Sequence, residues 1–234
     1  MTEVPATLPD LLTGLATTRA IRRLALDPIP DDDLSTILWH ATRAPSGTNR
    51  QPTRYVVLRD DERGRAAKAV LGRGFRDGWK AKSASAGYGQ GSALDPNSRK
   101  GRQRAAMEYF VEHFERFPAV VLVCLVRYRD PNPFEGASVY PACQNLLLAA
   151  RALGYGGVLT GWHGPVEAEL RELLGIPDGV AIHATIPLGR PLGHHGPVRR
   201  LPLSEVVFDG AWGESATWAH DPDGTEFAGP PPTA

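Results

Sequence analysis

Residues Ala119–Val126 read AVVLVCLV, eight apolar residues in succession, four of them valine. A strand with one wet face alternates apolar and polar residues. An unbroken β-branched run of this length predicts a central strand buried on both faces. It is also far too short to cross a bilayer. The rest of the chain, 234 residues and 42% hydrophobic, is long enough for one substantial core.

Hydrophobic periodicity and capping residues lay out the elements around that strand. A first helix starts at Thr7, with Leu8, Leu11, Leu12 and Leu15 on one stripe, and stops near Thr17 or Thr18. A second runs over about 31–44. A turn-rich loop over 44–52 leads to a strand over 54–59 and a helix over about 61–73. The stretch 79–99, rich in Gly, Ser and Ala, is the least regular and reads as a mobile surface loop. Helices follow over about 101–116, 141–153 and 166–174, with strands over 157–160 and 180–188 and a short ordered segment over 203–208. The expected organisation is one domain over 1–228, with a variable substrate-side loop at 75–100 and a C-terminal extension at 191–228. A disordered tail at 229–234 completes it.

Composition narrows the function. The formal net charge is +0, so no overall field draws the chain to nucleic acid or acidic lipid. Cys124 and Cys143 lie in apolar stretches without metal-ligand spacing and read as buried small hydrophobes. No basic flank precedes a hydrophobic N-terminal segment, so a cytoplasmic location is expected. Of 26 Lys and Arg residues only Lys68, Lys80, Lys82 and Lys100 are lysines, which leaves 26 − 4 = 22 arginines. That bias fits a GC-rich genome, or guanidinium forks recruited for phosphate.

Familiar catalytic motifs are missing. No GxGxxG, GxxxxGK[ST], HExxH, CxxC pair or GxSxG occurs, which removes support for a dinucleotide fingerprint, a P-loop or simple hydrolysis. His194 and His195 are neighbours flanked by Gly and Pro and read as a surface turn, and no metal site is expected. Such a chain points to chemistry carried by a cofactor.

Three ordered segments give that cofactor an identity by resemblance. Thr18-Arg-Ala-Ile-Arg-Arg-Leu24 with Pro28-Ile-Pro30, the loop APSGTNRQP over 44–52, and the series QNLLLAA, LG, LGIP, PLGRP and RRLP from Gln144 to Pro202 are similar to the FMN-dependent nitroreductase family. The resemblance implies an α+β fold, with a mainly antiparallel sheet flanked by helices. It also implies an intertwined homodimer whose C-terminal extension crosses onto the partner, with FMN held at the interface.

By family position, Arg19, Ala20 and Arg22 with Arg200, and Arg199 in reserve, would meet the FMN phosphate. Without the resemblance, arginines just after a helix C-terminus would read as dipole-compensating cations. Pro45, Ser46, Gly47, Thr48, Asn49 and Gln51 would border the flavin of the partner subunit. Leu159, Thr160 and Gly161 would pass the central ring, with a backbone N–H from Thr160 or Gly161 directed at N5. Trp79, Lys80, Lys82, Tyr88 and Trp162 are substrate-side candidates, although Trp162 reads equally well as core. Ala20 stands where the family commonly has serine, and Thr53 where an aromatic residue is usual after Gln-Pro, so the resemblance is to a divergent member. The implied activity is reduction of electron-poor acceptors, such as nitroaromatics or quinones, by NAD(P)H through flavin N5. A specialised dehydrogenase, oxidase or ene-reductase is the alternative, and a flavin-storing or regulatory protein is the non-enzymatic one.

Overall fold

The computed structural model describes residues 10–226. Its sheet contains β1 (Thr53–Leu58), β2 (Ala119–Val126), β3 (Gly156–Gly157) and β4 (Val180–Gly189), in the order β1-β2-β4-β3 with every pairing antiparallel. β2 is interior to the sheet, and seven of its eight residues are buried. On one face Val120, Leu122 and Cys124 join a cluster with Leu71, Phe75 and Phe110. On the other, Val121, Val123 and Leu125 join Ile37, Cys143 and Leu146. Helices therefore cover both faces: α3 (Glu62–Ser85), α4 (Arg99–His113) and α6 (Glu167–Leu174) on the first, α2 (Asp31–Ala41) and α5 (Tyr140–Ala152) on the second. The remaining helices among the described residues are α1 (Leu11–Thr17) and α7 (Leu203–Val206). This is an α+β fold with an open antiparallel sheet. Both cysteines are buried in it, and burial pushes their thiols up to about 11 for Cys124 and about 12 for Cys143.

The stretch expected to be a mobile loop is helical at its start, through Ser85, and again over Gly91–Leu94 as a single 3-10 turn, with irregular turns between and after them. α3 continues to Ser85 despite Gly72, Gly74 and Gly78, because each glycine lets another element close in. A Cβ at Gly72 would lie 2.6 Å from the Glu115 side chain, one at Gly74 3.1 Å from Val166, and one at Gly78 3.4 Å from Trp162. Tertiary packing here outweighs the roughly 1 kcal/mol per-glycine propensity penalty. Trp79 and Tyr88 are both 7% exposed, with ring centroids 5.0 Å apart.

Other boundaries move less. α2 ends at Ala41 rather than 44, where the Thr42 hydroxyl turns back to donate to the Trp39 carbonyl at 2.7 Å. α4 begins two residues early, at Arg99, because the Ser98 Oγ caps it by accepting from Gly101 N at 2.8 Å. The expected Thr7 cap and the 229–234 tail lie outside the described residues. α1 is capped by Asp10, whose carboxylate accepts from Thr13 N at 2.9 Å.

Two features fix the sheet edge next to the candidate site. β3 is a glycine pair because nothing larger fits: a Cβ on Gly157 would sit 2.5 Å from the Pro187 carbonyl oxygen, and one on Gly156 2.9 Å from Ile21. At the far side of β4, Val123 pairs Ala184 while Cys124 pairs Ile182, which leaves His183 as the extra residue of a β-bulge. Beside it, buried His163 has Nε2 at 3.0 Å from the Ile182 carbonyl and Nδ1 at 3.3 Å from the Thr185 hydroxyl. That pattern suits the neutral tautomer with the proton on Nε2.

Gly157→Ala should cost about 1–3 kcal/mol, the usual penalty of overpacking against backbone, read as a lower denaturant midpoint at unchanged slope. An unchanged midpoint would show that the β3–β4 approach relaxes freely. Burial, the largest cause in each case, also lowers the pKa of His163, His183 and His195 from 6.5. The unfolded chain therefore binds more protons than the folded one just below pH 6.5, and stability should fall as pH drops through that value. Chemical denaturation at successive pH values should show the decline, and His163→Gln should flatten part of it.

Candidate functional site

The segment after α1 is stitched to the β3 edge. Ile21 N donates to the Gly157 carbonyl at 2.9 Å, Ala25 N to Arg190 at 2.8 Å, and Leu192 N to the Arg23 carbonyl at 2.9 Å. Ile21 and Leu24 are buried inward. Arg22 is half-buried and Arg19 exposed. Burial first, and the like charge of Arg19 second among the lowering causes, depress the Arg22 pKa, while the neighbouring Tyr88 opposes them. Among the described residues Arg22 has no acidic partner. Removing a guanidinium from water without a counter-charge is unfavourable, so this position favours an incoming anion.

The alternative role for these arginines, compensation of the α1 dipole, is filled by another residue. Arg151, from α5, donates to the Gly14 carbonyl at 3.0 Å and to the Thr18 hydroxyl at 2.8 Å, and Thr18 supplies its own N–H and hydroxyl to Gly14. Arg19 and Arg22 are thereby left free of capping duty.

The chain returns to this region from its C-terminal side. Gly196 N donates to the Thr17 carbonyl at 3.2 Å and Val198 N to Ala16 at 3.4 Å. His195, expected in an exposed turn, is half-buried: its Nδ1 accepts from Arg19 N at 3.5 Å, and its Nε2 lies 3.4 Å from the Tyr155 carbonyl. Its flanking Gly and Pro gave no sequence signal of this contact. Arg199 is committed to Glu226 at 2.8 Å. Arg200 donates at 2.9 Å to the Arg199 carbonyl and has no acid partner among the described residues. Of the two C-terminal arginines, Arg200 is the one available to an anion. Ala20 is exposed within the same segment.

Thr160 and Gly161 sit further along the same edge. Thr160 and Thr185 exchange both backbone hydrogen bonds, at 3.0 and 2.8 Å. The Thr160 N–H is therefore committed to the sheet, which singles out Gly161 as the donor candidate. A Cβ on Gly161 would meet nothing within 4 Å, so its backbone stands open to a planar ligand. Leu159 beside it is 39% exposed. Trp162 packs down on α3, 5.7 Å from the Phe75 ring. Lys82 lies on its ring, while Lys80 is exposed.

The loop over 46–51 is built differently. Thr48, Asn49 and Gln51 all have φ near +50°, a left-handed conformation that costs non-glycine residues free energy and that clusters at functional sites. The Ser46 Oγ holds the turn by accepting from Gln51 N at 2.9 Å, and Gly47 N donates to the Ser138 Oγ at 3.2 Å. The Gln51 amide donates to Asn49 Oδ1 at 3.3 Å, so only part of the loop's polar capacity is satisfied internally. Pro45 is exposed at the loop's entrance. The loop borders a cleft of about 340 Å³ with Arg50, Tyr55 and Ser138. The buried Tyr55 hydroxyl has no partner among the described residues, and burial pushes its pKa up to about 12.

The structure thus brings Arg19, Arg22, His195, Thr160 and Gly161 to one edge of the sheet and places the 46–51 loop at the other. β1, which the loop enters, is three strand positions from β3, roughly 14 Å at the usual spacing. Within one chain these two groups of residues lie on opposite edges of the sheet.

Among known proteins, the nitroreductase family profile matches residues 15–190. The NADH dehydrogenase of Thermus thermophilus is 32% identical over 209 residues, covering 86% of this chain and 98% of that protein. A nitroreductase-type protein from Desulfovibrio desulfuricans, solved in complex with FMN, superposes with a TM-score of 0.62 at 26% identity, over 88% of this chain and 99% of that one. The NADPH:FMN oxidoreductase of Vibrio harveyi, solved with NAD+, gives 0.63 at 22% identity, over 88% and 79%. The profile spans the arginine segment, the strained loop and the Gly161 edge in one continuous match, and the chain belongs to the nitroreductase family.

Proposed function

We propose that the chain is an FMN-dependent NAD(P)H oxidoreductase that works as a homodimer, each cofactor being held by the arginine edge of one copy and the 46–51 loop of the other. The observation that carries this reading is Arg22, half-buried beside Arg19 with no acid partner among the described residues. A phosphate dianion supplies the missing counter-charge and accepts several charge-assisted hydrogen bonds. Arg19, Arg22 and Arg200 would hold that phosphate, with His195 bracing Arg19 through its backbone. Gly161, with no side chain and open space above it, would donate its N–H to the ring, and Leu159 would supply an apolar neighbour. The chemistry FMN supplies when bound is acceptance of hydride from NAD(P)H and onward reduction of electron-poor acceptors such as nitroaromatics or quinones.

Two further features support the dimer. The half-sites occupy opposite sheet edges, so a second copy is needed to face one with the other. Large apolar residues also lie exposed on a single chain: Leu11 at 70%, Leu12 at 76% and Trp212 at 92%. Leu11 and Leu12 stand with Leu15 on α1, and Trp212 lies 4.9 Å from Phe208; grouped rather than scattered apolar residues of this kind mark surfaces that another chain covers. Trp212 belongs to the C-terminal extension, which the reading lays across the partner. Among the described residues no helix is long and apolar enough to cross a membrane.

The phosphate assignment separates FMN from riboflavin, which lacks that group. Arg19→Ala combined with Arg22→Ala should weaken FMN binding by about 100-fold or more, the worth of two charge-assisted hydrogen bonds, and leave riboflavin binding within a few-fold. Equal weakening of both ligands would place the phosphate elsewhere. Anaerobic addition of NAD(P)H to the FMN-loaded protein should bleach the flavin band. Persistence of the band would favour a specialised oxidase reduced only by its own substrate, or a storage protein.

A further inference from the structure

Among 26 basic residues only four are lysines, and their placement is uneven. Lys68 is structural: it is fully buried, its Nζ bonded to Asp60 at 2.7 Å and to the Phe117 carbonyl at 3.0 Å. The other three, Lys80, Lys82 and Lys100, flank the connection between α3 and α4. Two of them stand on aromatic faces. The Lys82 Nζ is 5.8 Å from the Trp162 ring centroid, and the Lys100 Nζ is 5.3 Å from that of Tyr88.

Neither ammonium has an acid partner among the described residues, whereas three arginines of α3 and α4 do: Arg73 pairs Glu169, Arg76 pairs Glu115, and Arg104 pairs Glu108. Trp162 directly follows Gly161 and is seated by Gly78, whose missing side chain lets the indole approach α3. Lys82 is thus an exposed cation, braced on an indole and adjacent to the backbone that the functional reading places at the reacting ring. A cation over an aromatic face is held by the ring's charge distribution and keeps its N–H donors for a ligand.

We propose that Lys82, seated on Trp162, receives an anionic group, a carboxylate or a phosphate, borne by the molecule that approaches the flavin face, with Lys100 on Tyr88 as the second cation. The proposal rests on the flavin reading above, which puts the reacting ring beside Gly161. Two sources share this chemistry: a carboxylated aromatic acceptor, and the ribose phosphate that NADPH has and NADH lacks.

The test uses the FMN-loaded protein. Calorimetric titration with para-nitrobenzoate and its neutral analogue para-nitrobenzamide is paired with kcat/KM for NADPH and NADH, in the wild type, Lys82→Met and Lys82→Arg. If the acceptor carries the anion, Lys82→Met should weaken nitrobenzoate about tenfold, one charge-assisted contact at a half-open site. The amide should hold within twofold, and Lys82→Arg should restore most of the loss. If NADPH carries it, the same variant should lower the NADPH-to-NADH ratio of kcat/KM instead, again with rescue by arginine. A flavin-loaded Lys82→Met protein that keeps both the nitrobenzoate affinity and the reductant ratio overturns the proposal alone. A chain that takes up no flavin contradicts the functional reading and the proposal together, and flavin absorbance tells the two failures apart.

Discussion

β2 has no wet face, and the layer arrangement depends on that. Val120, Leu122 and Cys124 must be covered by α3 and α4, and Val121, Val123 and Leu125 by α2 and α5. With both faces occupied by helices, polar backbone is left accessible only at the sheet's edges and strand ends. The candidate residues are found there. Arg19 and Arg22 lie on the β3 edge because a two-glycine strand admits Ile21 against its backbone, and the 46–51 loop lies at the entrance to β1. Residues that the proposed site would draw together are therefore kept on opposite borders of one sheet.

Each border carries an uncompensated feature. On the β3 side it is electrostatic, a half-buried arginine beside a second arginine. A surface salt bridge would contribute little there, about 0–1 kcal/mol, but a bound dianion would neutralise both cations at once. On the β1 side it is conformational. Three non-glycine residues hold left-handed backbone within four positions, at a cost of order 1–3 kcal/mol each, and the Tyr55 hydroxyl is buried without a partner among the described residues. Strain of this kind persists only where the surroundings enforce it. Here Ser46, Ser138 and the start of β1 do so.

Much of this was legible in the sequence, and the rest was hidden for physical reasons. The apolar run of β2 announced its burial because no polar residue interrupts it. The arginine and loop segments could be named because short motifs keep their spacing. The α3 extension was hidden by Gly72, Gly74 and Gly78: glycine reads as a breaker, yet here each one admits Glu115, Val166 or Trp162, and those contacts are long-range. The same holds for Arg151, whose role at α1 depends on a fold that brings residue 151 beside residue 14, and for His195, which lies in the Gly- and Pro-flanked pair His194-His195 and still reaches Arg19. Thr160 and Gly161 looked interchangeable as donors until strand pairing committed the Thr160 N–H to Thr185.

The central claim is that one cofactor site is completed by two copies of the chain. Complementation between differently tagged chains tests it most directly, one carrying Arg19→Ala with Arg22→Ala and the other Ser46→Ala, Asn49→Ala and Gln51→Ala. Each variant alone should form dimers that hold little FMN. The purified mixed dimer combines the intact arginine edge of one chain with the intact loop of the other, and it should regain one FMN per pair of chains by absorbance. A mixed dimer holding no more flavin than the average of the two parents would contradict the account and return the whole site to a single chain.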